Sequence, residues 1–211
     1  MQNEAPLTIY LKDYTPFGYL VDSVHLTFDL QPHATRVTSK IAFRPNPDAT
    51  DRTFFLHGEN LSLISARIDG ADVSPTLSDT GLTCDVPDAA FVWDAVVEID
   101  PKGNTALEGL YMSNGMYCTQ CEAEGFRKIT YYPDRPDVMS VFTVDINGPH
   151  PVLLSNGNPL NTGEHHASWH DPWPKPAYLF ALVAGDLVAH QDRFTTCSGK
   201  DVALNLYVRP G

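Results

Sequence analysis

The stretch YLVDSVHLTFDLQPHATRVTSKIAF, residues 19–43, alternates apolar and polar side chains in two runs that a turn separates. Every second residue is apolar from Val24 to Leu30, and a period of two resumes with Val37, Ser39, Ile41 and Phe43. A period of two residues is typical of a strand with one buried face. Because Pro32–Ala34 forms a turn between the runs, we predict an antiparallel hairpin.

Similar short apolar runs follow, and most are bounded by turn residues. They are Thr53–Leu56, Leu61–Ile68, Leu82–Val86, Ala95–Ile99, Met139–Asn147, Pro151–Leu154, Tyr178–Val183 and Val202–Val208. We expect the runs at 139–147 and 151–154 to form a second hairpin. The one helical candidate is a short turn at Asp134–Val138, where Pro136 suits a first helical position. The pattern predicts an all-β fold of mostly antiparallel strands, either a sandwich or a large curved sheet.

Composition narrows the class of protein. The chain has 211 residues, 43% of them hydrophobic and 19% charged, with 14 Lys and Arg against 26 Asp and Glu, a net charge of −12. Nucleic-acid binding needs a basic surface, so we expect no nucleic-acid partner. The longest apolar stretch, Ala177–Gly185, is far shorter than the roughly 20 residues that span a bilayer, so we expect no membrane span.

We expect a cytoplasmic, reduced protein. The opening residues MQNEAPLTIY show no secretory signal, and four cysteines do not suggest a disulfide framework. The last strand, Val202–Val208, ends close to the final residue, which leaves an edge that no later segment can cover. We therefore expect that the chain is part of a longer protein.

Two motifs carry metal or redox alternatives. His166 and His170 have the spacing of two zinc ligands on a helix, but position 167 is Ala, where H-E-x-x-H has Glu. Nearby prolines disfavour a helix, so polar loop histidines are the alternative. Cys118 and Cys121 have C-x-x-C spacing, which occurs in redox sites, in structural zinc sites with a second ligand pair, or as free buried thiols.

A pair of carboxylates, Glu122 and Glu124, lies beside Arg127 and Lys128 in the segment CEAEGFRK. One interpretation is a solvated loop with a surface salt bridge. The other is a functional carboxylate. The residue pattern alone leaves both open.

The stretch TALEGLYMSNGMYCTQCEAEGFRKITYYPDRP at 105–136 resembles the N-terminal domain of the aminopeptidase N family of zinc metallopeptidases, in particular its bacterial, mainly proteobacterial, branch. Further agreement lies in LLSNGNP at 153–159, DPWPKPAYLFALVAGD at 171–186 and FTTCSGKDVALNLYV at 194–208. The resemblance covers essentially the whole chain.

The resemblance implies a concave, saddle-like β-sandwich that packs against a thermolysin-like catalytic domain of the same chain. It implies one zinc in the parent enzyme, held by H-E-x-x-H and a downstream Glu, which this sequence lacks. We therefore expect the metal ligands beyond residue 211, and no zinc and no peptidase activity in this chain alone. The expected domains are 1–194, the sandwich, and 195–211, the first strand of the catalytic domain.

The resemblance also implies the substrate site. Family members line the first substrate pocket with the Gln and the acidic residue of TQCEAEG, here Gln120 and Glu122, which bind the α-amine of a peptide with a free N-terminus. Tyr131, Tyr132 and Asp134–Pro136 are expected to support this loop or an interface. The family resemblance also implies a cis peptide at Glu122–Ala123. A free-standing β-sandwich binding module is the alternative, and a relative with epoxide hydrolase activity is a variant of the first hypothesis.

Overall fold

The computed structural model describes residues 8 and 10–210, and these form seventeen strands and three single-turn 3-10 helices. The strands are β1 Tyr19–Asp29, β2 Thr35–Pro45, β3 Phe55–His57, β4 Ser62–Ile68, β5 Ala71–Asp72, β6 Thr76–Ser78, β7 Gly81–Thr83, β8 Phe91–Ile99, β9 Gly109–Ser113, β10 Met116–Gln120, β11 Ser140–Asn147, β12 Val152–Ser155, β13 Asn158–Gly163, β14 His166–Lys175, β15 Leu182–Gly185, β16 Val188–Thr195 and β17 Asp201–Val208. The 3-10 turns are Leu11–Asp13, Phe126–Lys128 and Ala177–Leu179. Most of the opening segment, where no secretory signal is expected, lies outside the described residues. The final residue, 211, also lies outside them.

Two main sheets account for most of the strands. The larger has eight strands in the order β13-β14-β11-β1-β2-β8-β4-β5, and the other has four in the order β12-β15-β10-β9. A small sheet joins β3, β7 and β6, and β16 pairs with β17. Among the paired strands that the structure describes, β1 and β11 run parallel and the rest run antiparallel. The predicted all-β sandwich of mostly antiparallel strands is confirmed.

The predicted first hairpin forms as expected. β1 pairs antiparallel with β2, so that Leu26 faces Ser39 and Phe28 faces Val37 across the ladder. Leu26, Phe28 and Val37 are fully buried, whereas His25, Asp29 and Arg36 on the opposite face are exposed. Burial of one face fixes this register, because a slip by one residue would turn every apolar side chain to solvent.

One apolar core contains side chains from both main sheets. Phe180, just before β15, stacks on Phe28 of β1 with ring centroids 5.9 Å apart. It also meets Phe126 edge-on at 5.3 Å. Because Phe126 lies six residues after the end of β10, this aromatic cluster anchors the chain shortly after that strand.

The predicted second hairpin is wrong. β11 pairs with β1 and β14 in the eight-stranded sheet, whereas β12 pairs with β15 in the other sheet. The run at 151–154 is too short and too uniformly apolar to have a period that selects a partner. It crosses to the second sheet, where Leu153 is buried.

The short helical turn expected at Asp134–Val138 is also absent. This segment forms a hydrogen-bonded turn, in which the Val138 N–H donates to the Arg135 carbonyl at 3.2 Å. The Asp134 N–H is already bound to the His57 ring. The short 3-10 turns lie elsewhere in the described part of the chain, and none of its helices is long and apolar enough to cross a membrane.

β17, the last strand, pairs with the strand that precedes it in the chain and forms one edge of a two-stranded sheet. It pairs with β16 over eight residues, from Val188 with Val208 to Thr195 with Asp201. Apart from the half-buried Val202, the side chains of this hairpin are exposed. The domain boundary at residue 194 stays a prediction.

Candidate functional site

The predicted site begins at the end of a tight hairpin. β9 and β10 are joined by Asn114 and Gly115, whose φ angles are both positive, 50° and 81°. This is the backbone of a type I′ turn, for which Asn-Gly is the preferred sequence. The register pairs Gly109 with Gln120, so Gln120 lies at the last position of β10, at one end of the four-stranded sheet.

The glutamate loop, residues Gln120–Gly125, turns sharply after β10. The Gly125 N–H donates to the Cys121 carbonyl at 2.9 Å, and Cys121 is buried. A Cβ at Gly125 would lie 2.3 Å from the Gln120 carbonyl oxygen, so no other residue fits without movement of the backbone. The Glu122–Ala123 peptide is cis, as the family resemblance implied. Both ends of the loop are therefore packed, while residues 122–124 are exposed.

Gln120 and Glu122 lie side by side. The Gln120 Nε2 donates to the main-chain oxygen of Glu122 at 3.1 Å. Because that oxygen can only accept, the amide nitrogen must face it, and Oε1 of Gln120 is left as an acceptor. The loop thus presents one amide oxygen and one exposed carboxylate, both of which suit an ammonium group.

Arg127 is bound to carboxylates other than that of Glu122. Its Nε lies 3.1 Å from Asp134 Oδ2, and its Nη2 lies 3.4 Å from Glu124 Oε1. A weaker contact of 3.8 Å joins Nη1 to Glu59. The expected salt bridge in this loop therefore involves Glu124.

Lys128 is likewise bound to carboxylates other than that of Glu122. Its Nζ lies 2.8 Å from Glu108 and 3.3 Å from Glu59, and these contacts raise the pKa of Lys128 and lower that of Glu108. Within the described residues, no Lys, Arg or His nitrogen lies within 4.0 Å of the Glu122 carboxylate. The Glu122 carboxylate therefore forms no ion pair with any residue that the structure describes.

The predicted supporting residues divide into two groups. Tyr131 and Tyr132 are buried, and Tyr132 exchanges two main-chain hydrogen bonds with His57, at 2.9 and 3.1 Å. These residues hold the chain that follows the loop. Arg135 instead binds Asp137 at 2.8 Å, and Pro136 is exposed.

Burial shifts two pKa values beneath the loop. Desolvation raises the pKa of Asp134 above its ordinary value, although hydrogen bonds from Arg127 oppose this. Desolvation also lowers the pKa of His57, and the Arg127 charge acts in the same direction. His57 Nδ1 accepts the Asp134 N–H at 3.2 Å, so the neutral ring is the form that completes this contact.

The two cysteines of the C-x-x-C motif are free thiols. Burial raises the pKa of Cys118 and raises that of Cys121 to about 12. Redox chemistry of the thioredoxin type needs a thiol with a lowered pKa. The raised pKa values and the burial therefore fit free thiols better than a redox site of this type.

His166 and His170 are in strand β14 and not in the loop that we expected. His166 contacts Asn147 at 2.8 Å and Ser168 at 3.1 Å, and His170 contacts Thr143 at 3.0 Å. Both rings therefore form hydrogen bonds to the neighbouring strand β11, and His166 also contacts a residue of its own strand. In the described part of the chain, the His, Cys, Asp and Glu side chains form no group of three that could hold a metal ion, so these residues do not fit a zinc site.

Several residues of this site were missed by sequence reasoning. The β9–β10 hairpin lies in a stretch without clean periodicity, yet Asn114-Gly115 is a strong hairpin signal that could have revealed it. Glu59, Glu108 and His57 carry no such signal. They reach the loop only through the tertiary fold.

Comparison with known proteins bears on the family of this chain. The sequence profile described as "Peptidase M1 N-terminal domain" matches residues 19–179. The chain is 49% identical to aminopeptidase N of Caulobacter vibrioides over 100% of this chain and 26% of that protein. It is 44% identical to aminopeptidase N of Escherichia coli over 99% of this chain and 25% of that protein. The chain thus spans about a quarter of the length of these relatives.

Solved structures agree as well. Legionella pneumophila aminopeptidase A, in complex with aspartic acid, has a TM-score of 0.88 and 32% identity, over 95% of this chain and 25% of that one. An M1 zinc metallopeptidase from Deinococcus radiodurans, at 15% identity and a TM-score of 0.77, covers 93% of this chain and 49% of its own, and shares the fold. The matched profile, together with the relatives and the shared fold, shows that the chain belongs to the peptidase M1 N-terminal domain family.

Proposed function

We propose that this chain is the substrate-anchoring domain of a zinc aminopeptidase, which removes N-terminal residues from peptides. Glu122 binds the protonated α-amine of the substrate, and Gln120 Oε1 accepts a further hydrogen bond from it. The proposal is supported by family membership and by similarity to aminopeptidase N over the whole chain.

The observation that carries the proposal is that the Glu122 carboxylate has no ion-pair partner among the described residues. The two nearby cations, Arg127 and Lys128, are engaged by other carboxylates. An exopeptidase must recognise a free ammonium group, and a fixed carboxylate both attracts that group and limits how far the peptide can enter. A hydrogen bond to a charged group contributes roughly 1.5–3 kcal/mol.

The proposal assigns no metal ligand to this chain. Zinc in an aminopeptidase activates the attacking water, and its ligands would belong to a catalytic domain in the longer protein. What this chain contributes is binding and orientation of the free amine. By itself it is expected to have no peptidase activity. The cytoplasmic location stays a prediction.

The test is Glu122→Gln in the longer protein, assayed on aminoacyl substrates. Gln keeps the size of the side chain and removes the charge, so kcat/KM should fall about 10- to 150-fold. Glu164→Gln is the matched control, because Glu164 is 90% exposed on the β13–β14 turn. It should leave kcat/KM within about twofold. An equally small effect of Glu122→Gln would refute the proposal.

A further inference from the structure

We propose that Arg127 and Asp134 form a positioning pair, which holds the glutamate loop so that Glu122 is its one uncompensated carboxylate. This inference rests on the proposed function of Glu122. Neither residue touches the substrate, and each acts through the loop.

The pair is bound at three points. Asp134 Oδ2 accepts the main-chain N–H of Arg127 and its Nε, both at 3.1 Å, and the Arg127 Nη2 donates to the main-chain oxygen of Asp134 at 3.2 Å. The Asp134 carboxylate thus caps the 3-10 turn Phe126–Lys128. Because that turn begins directly after Gly125, the pair fixes the point at which the glutamate loop ends.

Contacts with β3 hold the pair in place. The Asp134 N–H is bound to His57, and His57 is paired with Tyr132 through the main chain. Phe126, in the capped turn, is fully buried in the aromatic cluster. Hydrogen bonds and buried contacts therefore connect β3 to the end of the loop.

Burial of the pair argues for a positional role. The side chains of Arg127 and Asp134 are 11% and 3% exposed. A buried ion pair is weak evidence for stability, since apolar replacements of similar volume are often as stable. What such a pair supplies is a defined geometry, here at the base of the loop.

The pair also controls the charge of the loop. The Arg127 Nη2 faces Glu124 at 3.4 Å, so the second exposed carboxylate of the loop already has a cation. Without Arg127, Glu124 would compete with Glu122 for an ammonium group. The selection of Glu122 as the anchor is thus built into the contacts of Arg127.

The test is a double-mutant cycle in the longer protein, with Asp134→Asn and Glu122→Gln made singly and together. Asp134→Asn should lower kcat/KM on an aminoacyl substrate by about tenfold or more when Glu122 is present, because a small misplacement of an anchoring group is costly. In the Glu122→Gln background it should change kcat/KM by less than about twofold.

A matched control is Asp171→Asn. It breaks another buried ion pair, in which Asp171 contacts Lys175 at 3.0 Å within β14. This variant should lower the melting temperature and leave kcat/KM within about twofold. If Asp134→Asn does not fold, Arg127→Lys replaces it in the cycle, since Lys keeps the charge and loses the branched contacts.

The outcomes of the cycle separate the two claims. Non-additivity in the cycle supports the positioning pair. Equal losses from Asp134→Asn in both backgrounds, or no loss beside a strong effect of Glu122→Gln, overturn the positioning pair and leave the proposed function standing. No loss from either single variant overturns both.

Discussion

At the scale of single residues, the anchoring role proposed for Glu122 depends on which nearby charges are already paired. Arg127 and Lys128 lie only five and six positions after Glu122, and simple proximity would predict a surface salt bridge. The structure instead pairs them with Glu59, Glu108, Glu124 and Asp134. Electrostatic anchoring is strongest when the carboxylate is held in place before the substrate arrives.

This part of the site could not be predicted from the sequence. Gln120 and Glu122 were identified through the family resemblance, because a Gln and a Glu in a polar loop have no distinctive pattern of their own. Glu59 and Asp134 lie far apart in the chain and meet at Arg127 only in the folded protein. The unpaired state of Glu122 is therefore a tertiary property.

His57 supplies a test of the buried contacts beneath the loop. Burial lowers its pKa below the ordinary value of 6.5, so below that pH the unfolded chain binds a proton that the folded chain resists. The free energy of unfolding should therefore fall as pH drops from about 7.5 to about 5. His57→Asn keeps an acceptor near the position of Nδ1 and does not titrate, so it should weaken this pH dependence.

The measurement is urea unfolding of the wild type and the variant at both pH values. His190→Asn, on the exposed strand β16, is the matched control and should keep the wild-type pH dependence. If His57→Asn also kept it, burial of His57 would have no part in the acid response.

At the scale of elements, the predictions succeeded where a periodic pattern had one buried face. β1 and β2 alternate over many residues, so both their existence and their pairing could be predicted. β12 is short and uniformly apolar, so its sheet could not be assigned. β9 and β10 lack clean alternation, and only their Asn-Gly turn marks them.

The end of β10 offers a stability test. Gly125→Ala would place a Cβ 2.3 Å from the Gln120 carbonyl oxygen, a main-chain atom that moves only with the strand. We expect a loss of about 1–3 kcal/mol in the free energy of unfolding. Gly163→Ala, where a Cβ has no atom within 4 Å, should change it by less than about 0.5 kcal/mol. Equal effects of the two variants would contradict the close packing of the glutamate loop.

At the scale of the whole molecule, the two main sheets and the glutamate loop share one core. Phe180 joins them, because its ring lies within 6.2 Å, centroid to centroid, of Phe28, Phe126 and Phe142. A change at this ring therefore reaches the sandwich and the base of the loop together.

Phe180→Ala should lower the free energy of unfolding by about 3–5 kcal/mol, through lost burial and the cavity left behind. The adjacent Leu179 is 51% exposed, so Leu179→Ala should cost less than about 0.5 kcal/mol. Chemical denaturation of the three proteins measures both differences. A small effect at Phe180 would show that the sheets do not depend on this contact.

The central claim, that Glu122 binds the substrate amine, is tested most directly by pairing a change in the protein with a change in the ligand. Two competitive inhibitors that differ only in carrying an α-amine or a methyl group there would be measured against the longer protein and its Glu122→Gln variant. The wild type should bind the amine about 10- to 150-fold more tightly than its analogue, and the variant should lose most of that preference. A Glu122→Gln variant that keeps the full preference for the amine would contradict the account.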